Sequence, residues 1–392
     1  MTSLTEVAIG DCVRPVVTWN PLKAAGDEEF SYIDLSAIDQ ERKQIAEARS
    51  IACAEAPSRA RQLVEEGDVL ISTVRPNLNG VARVGVEYHG ATASTGFCVL
   101  RPAPGKLDGG YAFQWVKSQA FVNDMVGKAT GASYPAVSDR IILESKIPLP
   151  PLPEQGRIAA ILDQADALRA KRQEALAQLD SLTQSIFIEM FGDPAANPKG
   201  WEAATLGDLI FSATDGPHVS PSYSETGIPF LSTRHVRRGE ISWSDLKFLS
   251  PADAEVQWKK CRPERGDILY TKGGTTGLAA AVRTEEAFAV WVHVALLKPD
   301  SAKVETEWLE SMLNADFCYR QSQDLTHGIA NRDLGLKRMV KIRMYRPPSS
   351  LQREFVERKE RVNALRASSY LALAELDALF ASLQHRAFSG GL

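Results

Sequence analysis

The sequence is poor in the residues from which metal and redox sites are built. Its five cysteines (Cys12, Cys53, Cys98, Cys261 and Cys318) stand alone, without a CxxC pair, and there are only six histidines. A zinc site is not expected, and free reduced thiols are. No apolar run approaches 18 residues, which argues against a membrane span. The first fourteen residues include Glu6 and Asp11 and lack a basic stretch followed by an apolar one. That pattern is not a secretory signal, so the cytoplasm is the expected compartment. An excess of positive charge is missing too: 45 Lys and Arg face 49 Asp and Glu, for a formal charge of −4. Any surface for nucleic acid must therefore be a local patch. Catalytic signatures are equally scarce. There is no Walker A loop, GxGxxG turn, HExxH or GxSxG elbow, and the Gly273–Gly277 loop lacks a Lys-Ser/Thr. The Asn/Asp-Pro-Pro-aromatic motif of amino-methyltransferases is absent, since Pro150-Pro151 runs into Leu152 and Asn20-Pro21 into Leu22. No cofactor, no metal and no catalytic residue is expected.

What the chain does contain is a duplication. Gly10-Asp11 recurs as Gly207-Asp208, Gly131 as Gly328, Pro150-Pro151 as Pro347-Pro348 and Gln155 as Gln352, each 197 residues later. Ala167-Leu168-Arg169-Ala170 recurs as Ala364-Leu365-Arg366-Ala367, and Leu176, Leu179, Asp180 and Leu182 as Leu373, Leu376, Asp377 and Leu379. With 392 residues in all, the repeat spans the whole chain and predicts a pseudo-two-fold internal repeat.

Each copy ends in a long helical pattern. The first follows Pro148, Pro150, Pro151 and Pro153, which suit the start of a helix and bar one upstream. It stops at Gly192-Asp193-Pro194 and is expected from Glu154 to Met190. With Ile158 at position a, the heptad runs Ile158, Ile161, Ala165, Leu168, Arg172, Ala175, Leu179, Leu182, Ile186 and Glu189. Adding 197 gives Phe355, Arg358, Val362, Leu365, Ser369, Ala372, Leu376, Leu379, Leu383 and Arg386, with Ser349 or Ser350 as N-cap. Two such stripes bury one another most economically, so the expected fold is α+β. It has two mixed α/β domains (1–145 and 193–345) and two long helices (146–192 and 346–392) forming an antiparallel coiled coil.

The globular copies match in outline. Glu66-Gly67-Asp68-Val69-Leu70-Ile71 resembles Arg265-Gly266-Asp267-Ile268-Leu269-Tyr270, a turn followed by a buried strand. Each strand breaks into a polar loop, an apolar stretch follows, and then a helix-like segment (Tyr111 to Val126, Trp308 to Gln323). A second polar loop, Thr130 to Asp139 or His327 to Asp333, leads back to the long helix. Arg and Lys suit guanine edges, and Asn and Gln suit adenine. The candidate readers in the first copy are Arg75, Asn77, Asn79, Arg83, Ser133, Tyr134 and Arg140. In the second they are Arg234, His235, Arg237, Arg238, Lys272, Thr275, Thr276, Asn331, Arg332 and Lys337, with Arg234 to Arg238 the densest basic patch.

The run Ile147-Pro148-Leu149-Pro150-Pro151-Leu152-Pro153-Glu154-Gln155-Gly156-Arg157-Ile158 resembles the central conserved region of type I restriction-modification specificity (S) subunits. So do Leu162-Asp163-Gln164-Ala165-Asp166, the Phe191-Gly192-Asp193-Pro194 stop and the strand starts at Gly67 and Gly266. The resemblance covers the chain in the family's order of recognition domain, helix, recognition domain, helix. The second copy departs from it, with Ser349-Ser350-Leu351-Gln352 in place of Leu152-Pro153-Glu154-Gln155. The resemblance implies a chain without catalysis that reads double-stranded DNA and joins two adenine methyltransferase (M) subunits, to which a restriction (R) subunit can add. S-adenosylmethionine and ATP would sit on those partners. Each globule would read one half of an asymmetric site, and the helix pair would set the spacing. Pro150, Pro151, Glu154, Gln155, Pro347, Pro348 and Gln352 would contact M. Two rivals stand beside this reading: an S-like chain of a methylation-only or other defence complex, and a coiled-coil adaptor that binds proteins and never touches DNA.

Overall fold

The computed structural model describes residues 4–24, 28–328 and 332–392. Its helices are α1 (Gly109–Val116), α2 (Gln119–Lys128), α3 (Asp139–Glu144), α4 (Leu152–Phe191), α5 (Pro251–Trp258), α6 (Thr306–Asn314), α7 (Asp316–Asp324), α8 (Leu336–Met339) and α9 (Ser349–Ser389). The chain divides into two units, Met1–Ala175 with Ser369–Leu392, and Leu176–Ser368. Each long helix therefore contributes one part to each unit.

In unit 1 a four-stranded antiparallel sheet runs Val13–Arg14, Phe97–Pro102, Val69–Ser72, Val81–Arg83. A second sheet runs Arg49–Ala52, Glu29–Ile33, Thr92–Ser94, Ala60–Leu63, with its middle pair parallel. Strand alternation explains how the wholly apolar Val69-Leu70-Ile71 is used. Val69 and Ile71 pack with Tyr111, Ile142, Ile158 and Leu162 on the helical side, while Leu70 packs with Ile33, Ile38 and Ala93 towards the second sheet. Gly67 turns the chain into this strand at φ 85°, a region costly for residues with a Cβ.

Unit 2 repeats the plan. One sheet runs Ile210–Asp215, Val294–Pro299, Ile268–Thr271, Ala279–Ala281. The other runs Tyr223–Ser224, Lys247–Leu249, Ile228–Leu231, Ala289–Val290, again with one parallel pair. Ile268 and Tyr270 face the helices, and Leu269 faces the other way. Gly266 has φ 93°. Even close contacts recur on the 197 offset: a Cβ on Gly10 would meet the Leu143 carbonyl at 3.2 Å, and one on Gly207 the Val340 carbonyl at 3.3 Å.

The helix-like segments after the sheets are each broken in two, at Ser118 and at Ala315. Ser118 Oγ accepts a hydrogen bond from Phe121 N and caps α2. Helix α4 spans 40 residues and α9 spans 41, slightly longer than the sequence limits, because the turns at Leu152 and Ser349 are already helical. Ser349 and Ser350 thus lie in the first turn of α9 instead of capping it.

The long helices pack antiparallel within each unit. In unit 1 Arg157 donates to the Leu392 carbonyl (3.1 Å) and Arg169 to Asp377 (2.6 Å), so positions advance on α4 as they recede on α9. Phe388 meets Tyr111 and Trp115 with ring centroids 5.4 and 5.0 Å apart. In unit 2 Phe187 and Phe355 meet at 5.5 Å and Arg366 donates to Asp180 at 3.4 Å. The heptad phase differs from the sequence expectation. Buried or half-buried residues recur at 155, 158, 162, 165, 169, 172, 176, 179, 183, 186 and 190, and again 197 residues later. Ile158, Ala165, Arg172, Leu179 and Ile186 are on that seam, but Leu168 (49% exposed) and Leu365 (58% exposed) are not. The helices carry two apolar stripes in adjacent phases, and the sequence does not show which one faces inward.

Candidate nucleic-acid interface

The two polar loops of each copy are drawn together by the same backbone frame. In unit 1 the strand Val69–Ser72 runs into a loop whose Val74 bridges to Ala136, and Ala136 also bridges to Thr130. Arg75 N donates to the Pro135 carbonyl at 2.7 Å, and Thr73 N to Gly96 O at 3.0 Å. In unit 2 Gly273 bridges to Asp333, which bridges to His327. Gly274 N donates to the Arg332 carbonyl at 3.0 Å, and Gly273 N to His293 O at 3.2 Å. Ala136 and Asp333, Thr130 and His327, and Gly96 and His293 are all 197 apart. One clamp of three segments is built twice.

The side chains on the clamp differ. In unit 1 a 3-10 turn, Pro76–Leu78, is flanked by Arg75 (φ 52°) and Asn79 (φ 46°), both left-handed. Asn tolerates this backbone, but for Arg it costs about 1–2 kcal/mol. The bond to Pro135 and the bridge beside it hold Arg75 there. Its guanidinium lies 4.9 Å from the centre of the Tyr134 ring, which is 69% exposed. Asn77 and Ser133 are exposed on the same two loops. Lys43, which the sequence did not single out, donates from Nζ to the Asn79 carbonyl at 2.6 Å. Burial, then the charge of Lys117, holds its ammonium below the usual lysine range. The group formed is Lys43, Arg75, Asn77, Asn79, Ser133 and Tyr134. Arg83 is not part of it: it pairs with Val69 at the far end of its strand, beside the start of α4. Arg140 sits exposed on α3, paired with Glu144 at 2.7 Å.

Several unit 2 candidates prove structural. Lys272 is buried between Asp215 (3.2 Å) and Asp333 (3.3 Å), so its charge is spent inside the clamp. Burial opposes ionisation of Asp215, but Lys260 and Lys272 outweigh it and keep that carboxyl below its ordinary value. Thr276 is buried, its hydroxyl against Thr326 at 3.0 Å. His235 is buried as well; its Nδ1 accepts from Ser232 N at 2.8 Å. Burial, then Arg234, lowers its pKa and keeps it neutral. Arg234 donates to His235 and to the Asp245 carbonyl. These corrections share one cause: polar residues in a loop also serve to tie the loop down. Thr275, Arg332 and Lys337 are exposed, with Arg332 bonded to Gln323 at 2.6 Å. Arg237 is exposed, and Arg238 lies 3.7 Å from Asp316 and 4.8 Å from the Tyr319 ring centre. Asn331 lies outside the described residues. His293 was missed. It is an exposed imidazole at the position where unit 1 has Gly96.

The expected partner contacts also change. Gln155 is 1% exposed and Gln352 0%. Gln155 Oε1 accepts from Asp108 N (2.9 Å), while Nε2 donates to the carbonyls of Lys106 (3.0 Å) and Pro150 (2.9 Å). Gln352 does the same with Glu305 N (2.9 Å), Lys303 O (3.3 Å) and Pro347 O (2.8 Å). Every one of these partners is 197 residues from its counterpart. The glutamines lock helix starts to their units and are not free to contact another chain. Pro150 and Pro347 are buried with them, whereas Pro151, Pro348 and the half-buried Glu154, paired with Arg157, reach the surface.

Among the described residues, no group of three or more His, Cys, Asp or Glu could hold a metal ion, and no helix is long and apolar enough to cross a membrane. Residues 58–178 match the family model described as Type I restriction modification DNA specificity domain. The chain is 22% identical over 277 residues to the Type I restriction enzyme MjaIX specificity subunit of Methanocaldococcus jannaschii, a match spanning 66% of this chain and 60% of that protein. It is 23% identical over 369 residues to the EcoKI specificity subunit of Escherichia coli K12, spanning 84% and 76%. A chain solved in work on complex assembly and conformational transition of the type I R-M system matches with a TM-score of 0.65 and 26% identity, covering 100% of this chain and 99% of that one. The S subunit from M. genitalium shares the fold, with a TM-score of 0.58 at 14% identity. With the central motif, the full-length repeat and the duplicated clamp, these matches make the chain similar along its length to type I restriction-modification specificity subunits.

Proposed function

We propose that the chain is the non-catalytic DNA-specificity subunit of a type I restriction-modification complex, and that each unit reads one half of an asymmetric bipartite site through its clamp. The observation that carries this reading is one backbone frame, built twice, holding different side chains. Unit 1 presents Arg75, Asn77 and Tyr134, while unit 2 presents Thr275, His293 and Arg332. Equal frames with unequal readers suit two unrelated half-sites.

Docking of two methyltransferase subunits falls to the exposed helix faces. Leu168 and Leu182 on α4, and Leu365 and Leu379 on α9, are all exposed and repeat on the 197 offset. Two related stripes suit two copies of one partner. Pro151, Pro348 and Glu154 remain available beside them.

The test exchanges residues 1–145 for the same segment of another family member, co-expresses the chimera with the cognate methyltransferase, and sequences the methylated sites. One half of the recognised site should change while the other half stays. An unaltered bipartite motif would reject recognition by this unit.

A further inference from the structure

Unit 2 contains a cavity of about 560 Å³ between α6, α7 and the adjoining segments of α4 and α9. Such a volume falls in the range of small-molecule and side-chain pockets. The internal repeat supplies a built-in control for what belongs there. In unit 1 the corresponding place holds the ring of Phe380, which is buried. The Arg169 guanidinium lies 4.6 Å from its centre and the Lys117 ammonium 5.6 Å. Arg169 is in turn held by Asp377.

Moving each of these positions by 197 residues gives Thr183 for Phe380, Arg366 for Arg169, Asn314 for Lys117 and Asp180 for Asp377, and all four line the cavity. The Arg–Asp pair is kept, with Arg366 Nη1 3.4 Å from Asp180. The ring is gone, and the neighbouring lysine is shortened to asparagine. The walls change in both directions, since Glu310 and Lys359 stand where unit 1 has Phe113 and Leu162. Phe187, Ile188 and Phe317 stand where unit 1 has Gln384, His385 and Ala120. Loss of the internal ring leaves an open place bordered by Phe187, Ile188 and Phe317, with its cation still present. Glu310, which also lines it, is already satisfied by Lys359 and Arg283.

We infer that this cavity receives a phenylalanine or tyrosine side chain from a partner chain, stacked on Arg366 as Phe380 is stacked on Arg169. The repeat argues for an aromatic occupant, and the Asp180-held guanidinium gives the ring a cationic face to lie against. The inference does not depend on DNA recognition by either unit.

The test uses the full chain and two probes, N-acetyl-L-phenylalaninamide and N-acetyl-L-leucinamide, followed by saturation-transfer NMR. The aromatic amide should receive saturation and the leucine amide much less. Thr183→Phe puts back the ring found in unit 1, so it should abolish that transfer while melting at an equal or higher temperature. If Thr183→Phe fails to fold, Arg366→Gln provides the second reading, with aromatic transfer about threefold lower and the leucine signal unchanged. No transfer to the aromatic amide, equal transfer to both probes, or transfer that persists in folded Thr183→Phe overturns the inference. Concentration-dependent dimerisation of the native chain that Thr183→Phe abolishes would assign the cavity to a second copy, and would overturn it too.

Discussion

A polar residue in this protein gains its meaning from what surrounds it, and residue type alone does not reveal those surroundings. Lys272, Thr276 and His235 look like readers because they are polar and lie in loops, yet all three are buried and tie the clamp together. Gln155 and Gln352 look like surface contacts beside a proline turn, yet they are internal locks. Arg75 and Asn77, expected from the sequence in a polar loop, are exposed there, and Tyr134 is exposed on the facing loop, since Gly- and Asn-rich loops are poor places to bury a side chain. Glu310 gives the sharpest prediction at this scale. It is fully buried and pairs with Lys359 at 2.5 Å and Arg283 at 2.7 Å. Burial opposes its ionisation, but Lys359 and Arg283 outweigh burial and hold the carboxyl below its ordinary 4.5. Glu310→Gln should cost about 3–5 kcal/mol at neutral pH, because two cations lose their partner. Since the folded carboxyl titrates lower than the unfolded one, the native chain's advantage is full above pH 4.5 and is lost as pH falls through the folded value. Urea unfolding of both proteins from pH 7 to pH 3 checks this; a gap that stays constant to pH 3 contradicts it.

At the scale of elements, the long helices were plain in the sequence, but their inward face was not. A heptad fits equally well through Ile161 or through Leu162, because the outer stripe is apolar too. Only packing decides: Leu162 is buried, and Leu168, one heptad after Ile161 in the rival phase, is not. The two-part helices at Ser118 and Ala315 were hidden for a related reason, since apolar periodicity continues across each break. The seam also dictates how a spacing experiment must be done. Four residues inserted into α4 alone would shift its stripe out of phase with α9. Seven residues inserted in both helices, after Ala175 and after Ser368, keep the phase and add about 10 Å to each. If the pair sets half-site spacing, methylome sequencing should show the two half-sites unchanged and about three base pairs further apart. The original spacing would sink the idea.

At the scale of the molecule, the duplication was the most legible feature, because it is written in identities at a constant offset. What it could not convey is that the first unit is completed by the far end of the chain, Ser369–Leu392, while the second is one continuous stretch, Leu176–Ser368. The charge balance bears on recognition at this scale. If the chain reads DNA as proposed, its formal charge of −4 leaves phosphate contacts to local patches such as Arg237, and its DNA affinity alone should fall gently with salt. Adding the methyltransferase should steepen that dependence, and Arg237→Ala should flatten the slope of log affinity against log salt by about 1. Fluorescence anisotropy from 50 to 300 mM salt would measure it. A slope unmoved by Arg237→Ala would place that side chain outside the interface.

The packing of α9 against the first globule also orders events on the ribosome. Phe380, Ala387 and Phe388 belong to the same core as Tyr111, Ile142 and Ile158, yet they are translated after all of unit 2. The half made first must wait, incompletely sealed, while the half made second is free to close. A released chain ending at Ser368 would therefore carry the whole of the second unit and an unfinished first one, so loss of residues 369–392 would injure the unit translated first.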